Sequence, residues 1–142
     1  MKGRVLPALV LLSALSACST GYQSEGFTGG FTDTQLADNI FTISFSGNAF
    51  TAPQQAGDFV MLRAAELSVS HGYPYFVIDD QGDTSTKGFI GSYGSGSMGG
   101  GELYYPRQSM RITCYRTKAS DRQNYFDAVL VQRSIKAKYD IK

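Results

Sequence analysis

The stretch from Thr51 to Pro74 constrains the fold of this chain more than any other. Pro53 suits the first turn of a helix, where its missing N–H has no partner to lose, and Thr51 with Gln54 has capping-box spacing. Ala56, Phe59, Val60, Ala64 and Leu67 then fall on one side of a helix running to Ser70. His71 suits the negative end of the helix dipole, Gly72 can take the left-handed conformation just past the end, and Pro74 forbids continuation. A strand is expected on each side. In IFTISFSGN, Phe41, Ile43 and Phe45 alternate with Thr42, Ser44 and Ser46, and Tyr75 to Ile78 form a short apolar run ending at Asp79-Asp80-Gln81-Gly82. Strand, long helix and strand in succession imply a right-handed β-α-β crossover with its two strands parallel.

The remainder of the chain adds to that nucleus. Met110, Ile112 and Cys114 alternate with Arg111, Thr113 and Tyr115, which predicts a later strand with Cys114 pointing inward. Half of the 16 glycines lie between Gly82 and Gly101, so residues 82–105 read as a glycine-rich loop. Phe89, Ile90 and Tyr93 suit a short strand within it, and Leu103, Tyr104 and Tyr105 another. Ala128, Val131, Ile135 and Tyr139 have helical spacing, with Ser120 and Gln123 as a second capping box; Val129 and Val131 also fit a strand, and we take the helix. A chain of 142 residues, 42% hydrophobic, holds one domain. The expectation is an α+β fold over residues 39–142: a small sheet of three to five strands, a β-α-β crossover, and two helices on one face.

The N-terminus carries a different message. Lys2 and Arg4 precede a nearly continuous apolar run from Val5 to Ala14, too short to span a bilayer, which reads as a cleaved signal over residues 1–17. The run closes on Leu15-Ser16-Ala17-Cys18, which resembles a bacterial lipobox. That resemblance implies cleavage between Ala17 and Cys18, with a diacylglyceryl group on the Cys18 sulfur and an N-acyl chain on its new amino group. Two or more chains make a stable anchor where one holds only marginally. Ser19, where lipoproteins retained at the inner membrane carry Asp, implies transfer to the outer membrane. An ordinary secretory signal with a coincidental cysteine is the alternative.

Residues 18–38 carry four glycines and few aliphatics, and read as a lipidated flexible tether reaching about 60–70 Å when extended. Loss of Lys2 and Arg4 leaves 11 basic side chains against 12 acidic ones, a balance of −1, which gives no electrostatic case for nucleic acid. With Cys18 acylated, Cys114 has no disulfide partner.

Taken together, SFSGNAFT, MLRAAEL and SVSHGYPYFVI downstream of the lipobox resemble a family of small Gram-negative lipoproteins with the pattern SFxGNxxT, LRAAEL and then glycine with YFxI. The resemblance covers roughly residues 29–79 and the signal, and more weakly the C-terminal segment. It implies an address and a compact α+β domain, and no particular reaction.

Candidate chemistry is sparse. Arg63 stands on the apolar side of the helix three residues before Glu66, as a structural ion pair or as a ligand contact. His71, the single histidine, is explained by its helix-terminal position, catalysis being the alternative. One histidine and one non-acylated cysteine do not make a zinc site. Asp79, Asp80 and Asp83 lack EF-hand spacing and suit a solvated turn. Gly94 to Gly99 matches G-x-G-x-x-G without a helix after it, and Ser95 and Ser97 have no evident base. Tyr93, Tyr104 and Tyr105 flank the glycine-rich loop as candidate contacts for a partner or glycan, or as cover for a sheet edge. The expectation is an outer-membrane-anchored lipoprotein, on the periplasmic face, with a non-enzymatic binding or assembly role toward an envelope protein or the cell wall. No metal and no cofactor beyond the covalent lipid is expected. An envelope-stress sensor and a cell-wall-acting enzyme are the alternatives.

Overall fold

The structure is a computed structural model and describes residues 19–91, 100–119 and 124–142. Its elements in chain order are β1 (Gly30–Ala37), β2 (Ile40–Ser46), α1 (Pro53–Ser70), β3 (Tyr75–Asp83), β4 (Thr86–Gly91), β5 (Gly100–Tyr105), β6 (Arg107–Tyr115), β7 (Phe126–Asp127) and α2 (Ala128–Tyr139). Five strands form one sheet in the order β1-β2-β6-β3-β7, while β4 and β5 pair as a separate hairpin. All of these pairings are antiparallel. This is the α+β architecture that the alternating patterns and the long helix imply. Because β2 and β3 are each antiparallel to β6, they run parallel to one another with β6 between them, a split form of the β-α-β crossover.

The strand patterning is met residue by residue. Phe41, Ile43 and Phe45 are buried on β2, and Met110, Ile112 and Cys114 on β6; register sets Phe41 opposite Ile112 and Ile43 opposite Met110. Ala56, Phe59, Val60, Ala64 and Leu67 of α1 cover this face. Leu62, Ala65 and Ser68 are buried as well, which widens the apolar stripe, and α2 packs along α1. Phe59 is the aromatic hub. Its ring meets Phe45 at 5.1 Å, Tyr22 at 5.4 Å and Tyr139 at 4.9 Å, each edge-on.

The helix starts follow different chemistry from that expected, while the end of α1 follows its stop signal. Pro53 does open α1, but Ala52 is its N-cap and no side chain caps it, so Thr51 and Gln54 form no capping box. The Thr51 hydroxyl is committed elsewhere, to Thr20 and Asn48. At the other end Gly72 takes φ +78°, as the stop signal requires, with Tyr73 N–H donating to the Ser68 carbonyl at 2.8 Å. The C-terminal segment is helical. Asp127 caps it by accepting from Leu130 N–H at 2.9 Å, while the Ser120 and Gln123 pair lies outside the described residues.

Two boundaries move. The tether expected over residues 18–38 is shorter, because residues 30–37 form β1 along the edge of the sheet. Its inward positions are Phe31, Asp33 and Gln35, opposite Phe45, Ile43 and Phe41, so two of the three are polar and the period-two signal is lost. Likewise β3 continues through Asp79 and Asp80 to Asp83, with a register shift between Ile78 and Asp80, where a turn was expected. The nine residues of β6 offer backbone partners along that whole length, and pairing outweighs the turn-forming side chains. Within 82–105, β4 and β5 confirm strands at Phe89–Ile90 and at Leu103–Tyr105, whereas Tyr93 and Gly94 to Gly99, with Ser95 and Ser97, lie outside the described residues.

The contact between the helices carries a pH dependence. Asp58 of α1 accepts from Lys138 Nζ at 2.6 Å and Tyr139 Oη at 2.7 Å on α2, and from Gln54 Nε2 at 3.1 Å on its own helix. Burial alone would raise the Asp58 pKa, but these hydrogen bonds outweigh it and hold the carboxyl below its ordinary value. The folded state therefore binds this proton less readily than the unfolded chain. Its stabilisation is full above the unfolded pKa of about 4 and is lost as pH falls through the folded value. Asp58→Asn should cost about 1–2 kcal/mol at neutral pH and flatten the acid limb of the unfolding curve, as read by urea titrations from pH 7 to pH 3.

Candidate functional site

The most heavily constrained polar region is the junction where the N-terminal segment meets the domain. Thr20 is 1% exposed, the first buried side chain among the described residues. A buried hydroxyl and amide must find partners, and here every one is supplied. Thr20 N–H donates to Thr51 Oγ1 at 3.0 Å, Thr20 Oγ1 donates to the Thr28 carbonyl at 2.6 Å, and Asn48 N–H donates to Thr20 Oγ1 at 2.8 Å. Thr51 Oγ1 in turn donates to Asn48 Oδ1 at 3.0 Å. We call this the Thr20 clasp.

Glycine makes the clasp possible. Residues 26–29 form a tight turn, Gly26 and Gly29 exchanging backbone hydrogen bonds at 3.1 and 3.0 Å with Phe27 and Thr28 at its tip. Gly29 has φ +99°, and a Cβ there would stand 2.2 Å from the Ser46 carbonyl oxygen. No other residue type fits against β2 at this point.

A second, charged lock follows. The Tyr22 ring lies 4.8 Å from Phe31 and 5.4 Å from Phe59, and its hydroxyl donates to Glu66 Oε2. Burial, and then the Glu66 carboxylate, push the phenol far above its ordinary range, so Tyr22 stays protonated. Arg63 and Glu66 approach at 3.6 Å, but the shorter contact of Arg63 is Nε to Asp33 Oδ1 of β1, at 2.7 Å. The guanidinium also stands 4.5 Å over the Phe31 ring. Lys136 of α2 reaches Glu66 Oε1 at 3.3 Å. Two acids and two bases from β1, α1 and α2 are thus balanced, and their chemistry is that of a fastening for residues 20–37.

The other candidate residues occupy structural places. His71 caps α1, its Nδ1 2.8 Å from the Leu67 carbonyl and its ring 4.8 Å from Phe41. Cys114 is buried with Sγ 3.1 Å from Ser68 Oγ; burial raises its pKa despite the Ser68 hydrogen bond, which keeps the thiol protonated and a poor nucleophile. Asp79 accepts from Thr113, and Asp83 from the backbone N–H of Ser85 at 2.9 Å. Asp79 and Asp80 border an open depression of about 460 Å³ with Ile78, Gln81, Asn124 and Phe126. Among the described residues no group of three or more His, Cys, Asp or Glu is placed to hold a metal. Tyr104 is half-buried and Tyr105 is exposed on β5, the Tyr105 ring lying over Gly88. Ala17 and Cys18 lie outside the described residues.

Thr20, Tyr22, Asp33 and Lys136 were not legible as functional positions. Thr20, Tyr22 and Asp33 look like solvated tether in a glycine-rich stretch, and Lys136 like the solvated face of a helix, until their partners elsewhere in the chain are known. Comparison with protein-family models, curated proteins and solved structures gave no match.

Proposed function

We propose that this protein is a lipid-anchored component of the bacterial outer membrane that acts by binding or assembly, with its domain held close against the bilayer. The observation that carries the reading is the Thr20 clasp: the fold takes hold of the chain two residues after Cys18, the cysteine of the lipobox-like Leu15-Ser16-Ala17-Cys18. An anchor joined so closely to a rigid body confines that body to a thin layer and limits its orientations. Confinement of this kind raises the effective concentration of the domain toward partners in the same layer. Ser19 supports the outer-membrane address over the inner.

The hairpin of β4 and β5 is the surface we assign to a protein or cell-wall partner. It springs from the sheet end that carries the clasp, where Gly47 N–H donates to the Pro106 carbonyl at 2.8 Å and Thr84 N–H to the Arg107 carbonyl at 3.0 Å. Tyr104 and Tyr105 are its aromatic contacts near the root.

Metabolic labelling tests the anchor. The wild-type chain should incorporate palmitate and fractionate with outer membranes. A Cys18→Ser chain, with residues 1–17 exchanged for an ordinary secretory leader so that no uncleaved signal holds it, should be unlabelled and released as a soluble periplasmic protein. Absence of label in the wild type, or membrane retention of that variant, would contradict the reading.

A further inference from the structure

Two exposed phenylalanines flank the clasp. Phe27, at the tip of the turn, is 108% exposed, and Phe50, in the loop before α1, is 73% exposed. Each sits next to a direct partner of Thr20: Phe27 beside Thr28, and Phe50 beside Thr51. Among the described residues no packing explains rings left so far in water. From Thr20 back to Cys18 is two residues, about 7 Å at full extension. Arg107, 54% exposed at the same end of the sheet, donates to Ser46 Oγ at 2.9 Å and stands 3.8 Å from Glu25. Among the described residues Leu36 of β1 is also well exposed, as are Val129 and Leu130 in the first turn of α2, next to the Pro74 end of α1. That end is separated from Phe50 by the 18 residues of α1, about 27 Å.

We propose that Phe27 and Phe50 form a membrane-seating surface that enters the headgroup and upper acyl region of the leaflet holding the Cys18 lipid. The inference rests on the anchoring proposed above. The covalent lipid brings the bilayer to the end of the domain that carries both rings, and burying aromatic side chains there fixes which end of the domain faces the membrane. The lipid then acts as a tack and the two rings as feet.

The chain contains no tryptophan, so Phe27→Trp, Phe50→Trp and, as a control at the far end, Leu130→Trp each report from a single position. The lipidated full chain of each variant is reconstituted into phosphatidylethanolamine and phosphatidylglycerol vesicles with brominated acyl chains, and flotation is measured beside emission. The proposal expects all three to float, with tryptophan at 27 and 50 blue-shifted and quenched at least about twofold, and tryptophan at 130 unaffected. If the proteins float and positions 27 and 50 are no more quenched than 130, the seating is overturned while the anchor stands. If they do not float, the anchor itself fails and the seating with it. A blue shift that grows with protein concentration without quenching would assign the rings to a second copy of the chain, and would equally overturn the lipid assignment.

Discussion

Replacing Phe59 by alanine should destabilise the fold by about 3–5 kcal/mol and lower its melting temperature by about 10–20 °C. The ring is 2% exposed and touches three other rings that arrive from different parts of the chain: Phe45 on β2, Tyr139 on α2 and Tyr22 in the N-terminal segment. Truncation removes the transfer free energy of the ring and leaves a cavity that the sheet, held by its own hydrogen bonds, cannot collapse to fill. It also removes the surface against which Tyr22 seats, so the charged lock around Glu66 should loosen together with the core. Phe50→Ala is the matched control. That ring is 73% exposed, and its loss should shift stability by no more than about 0.5 kcal/mol. Parallel denaturant titrations of both variants check the contrast, and a Phe59→Ala cost below about 1 kcal/mol would show that the aromatic hub does not hold the layers together.

The order of these effects explains which parts of the molecule could be read from sequence. Phe41-Ile43-Phe45 and Met110-Ile112-Cys114 announce their strands because one face of each is wholly apolar, and Gly72 with Pro74 announces the end of α1 because backbone geometry leaves few other choices. β1 was hidden because its inward-facing Asp33 is neutralised by Arg63, a residue thirty positions away on another element. The same is true of Thr51. Its spacing to Gln54 matches a helix cap, yet a more distant bond to Thr20 claims its hydroxyl. Local patterns recover elements with an apolar face; elements fastened by polar contacts over long sequence separation become visible only in three dimensions.

The candidate site was divided in the same way. Arg63 with Glu66 was legible as a pair because helix geometry brings residues three apart together. The extension of that pair to Asp33, Tyr22 and Lys136 was not, because nothing in the local sequence links β1, the N-terminal segment and α2. The consequence concerns mechanics. A segment that reads as a flexible spacer is fastened to the domain from Thr20 onward, and the proposed lipid anchor is correspondingly short.

That difference has a large physical signature, which neutron reflectometry of the lipidated full chain on a supported bilayer measures directly. A flexible tether over residues 18–38 would allow a water-rich gap of up to about 60–70 Å between headgroups and domain, whereas the clasp leaves about 7 Å of free chain. The account predicts protein density beginning at the headgroup layer with no resolvable water gap. A solvent-filled gap of tens of ångströms beneath the protein layer would contradict it.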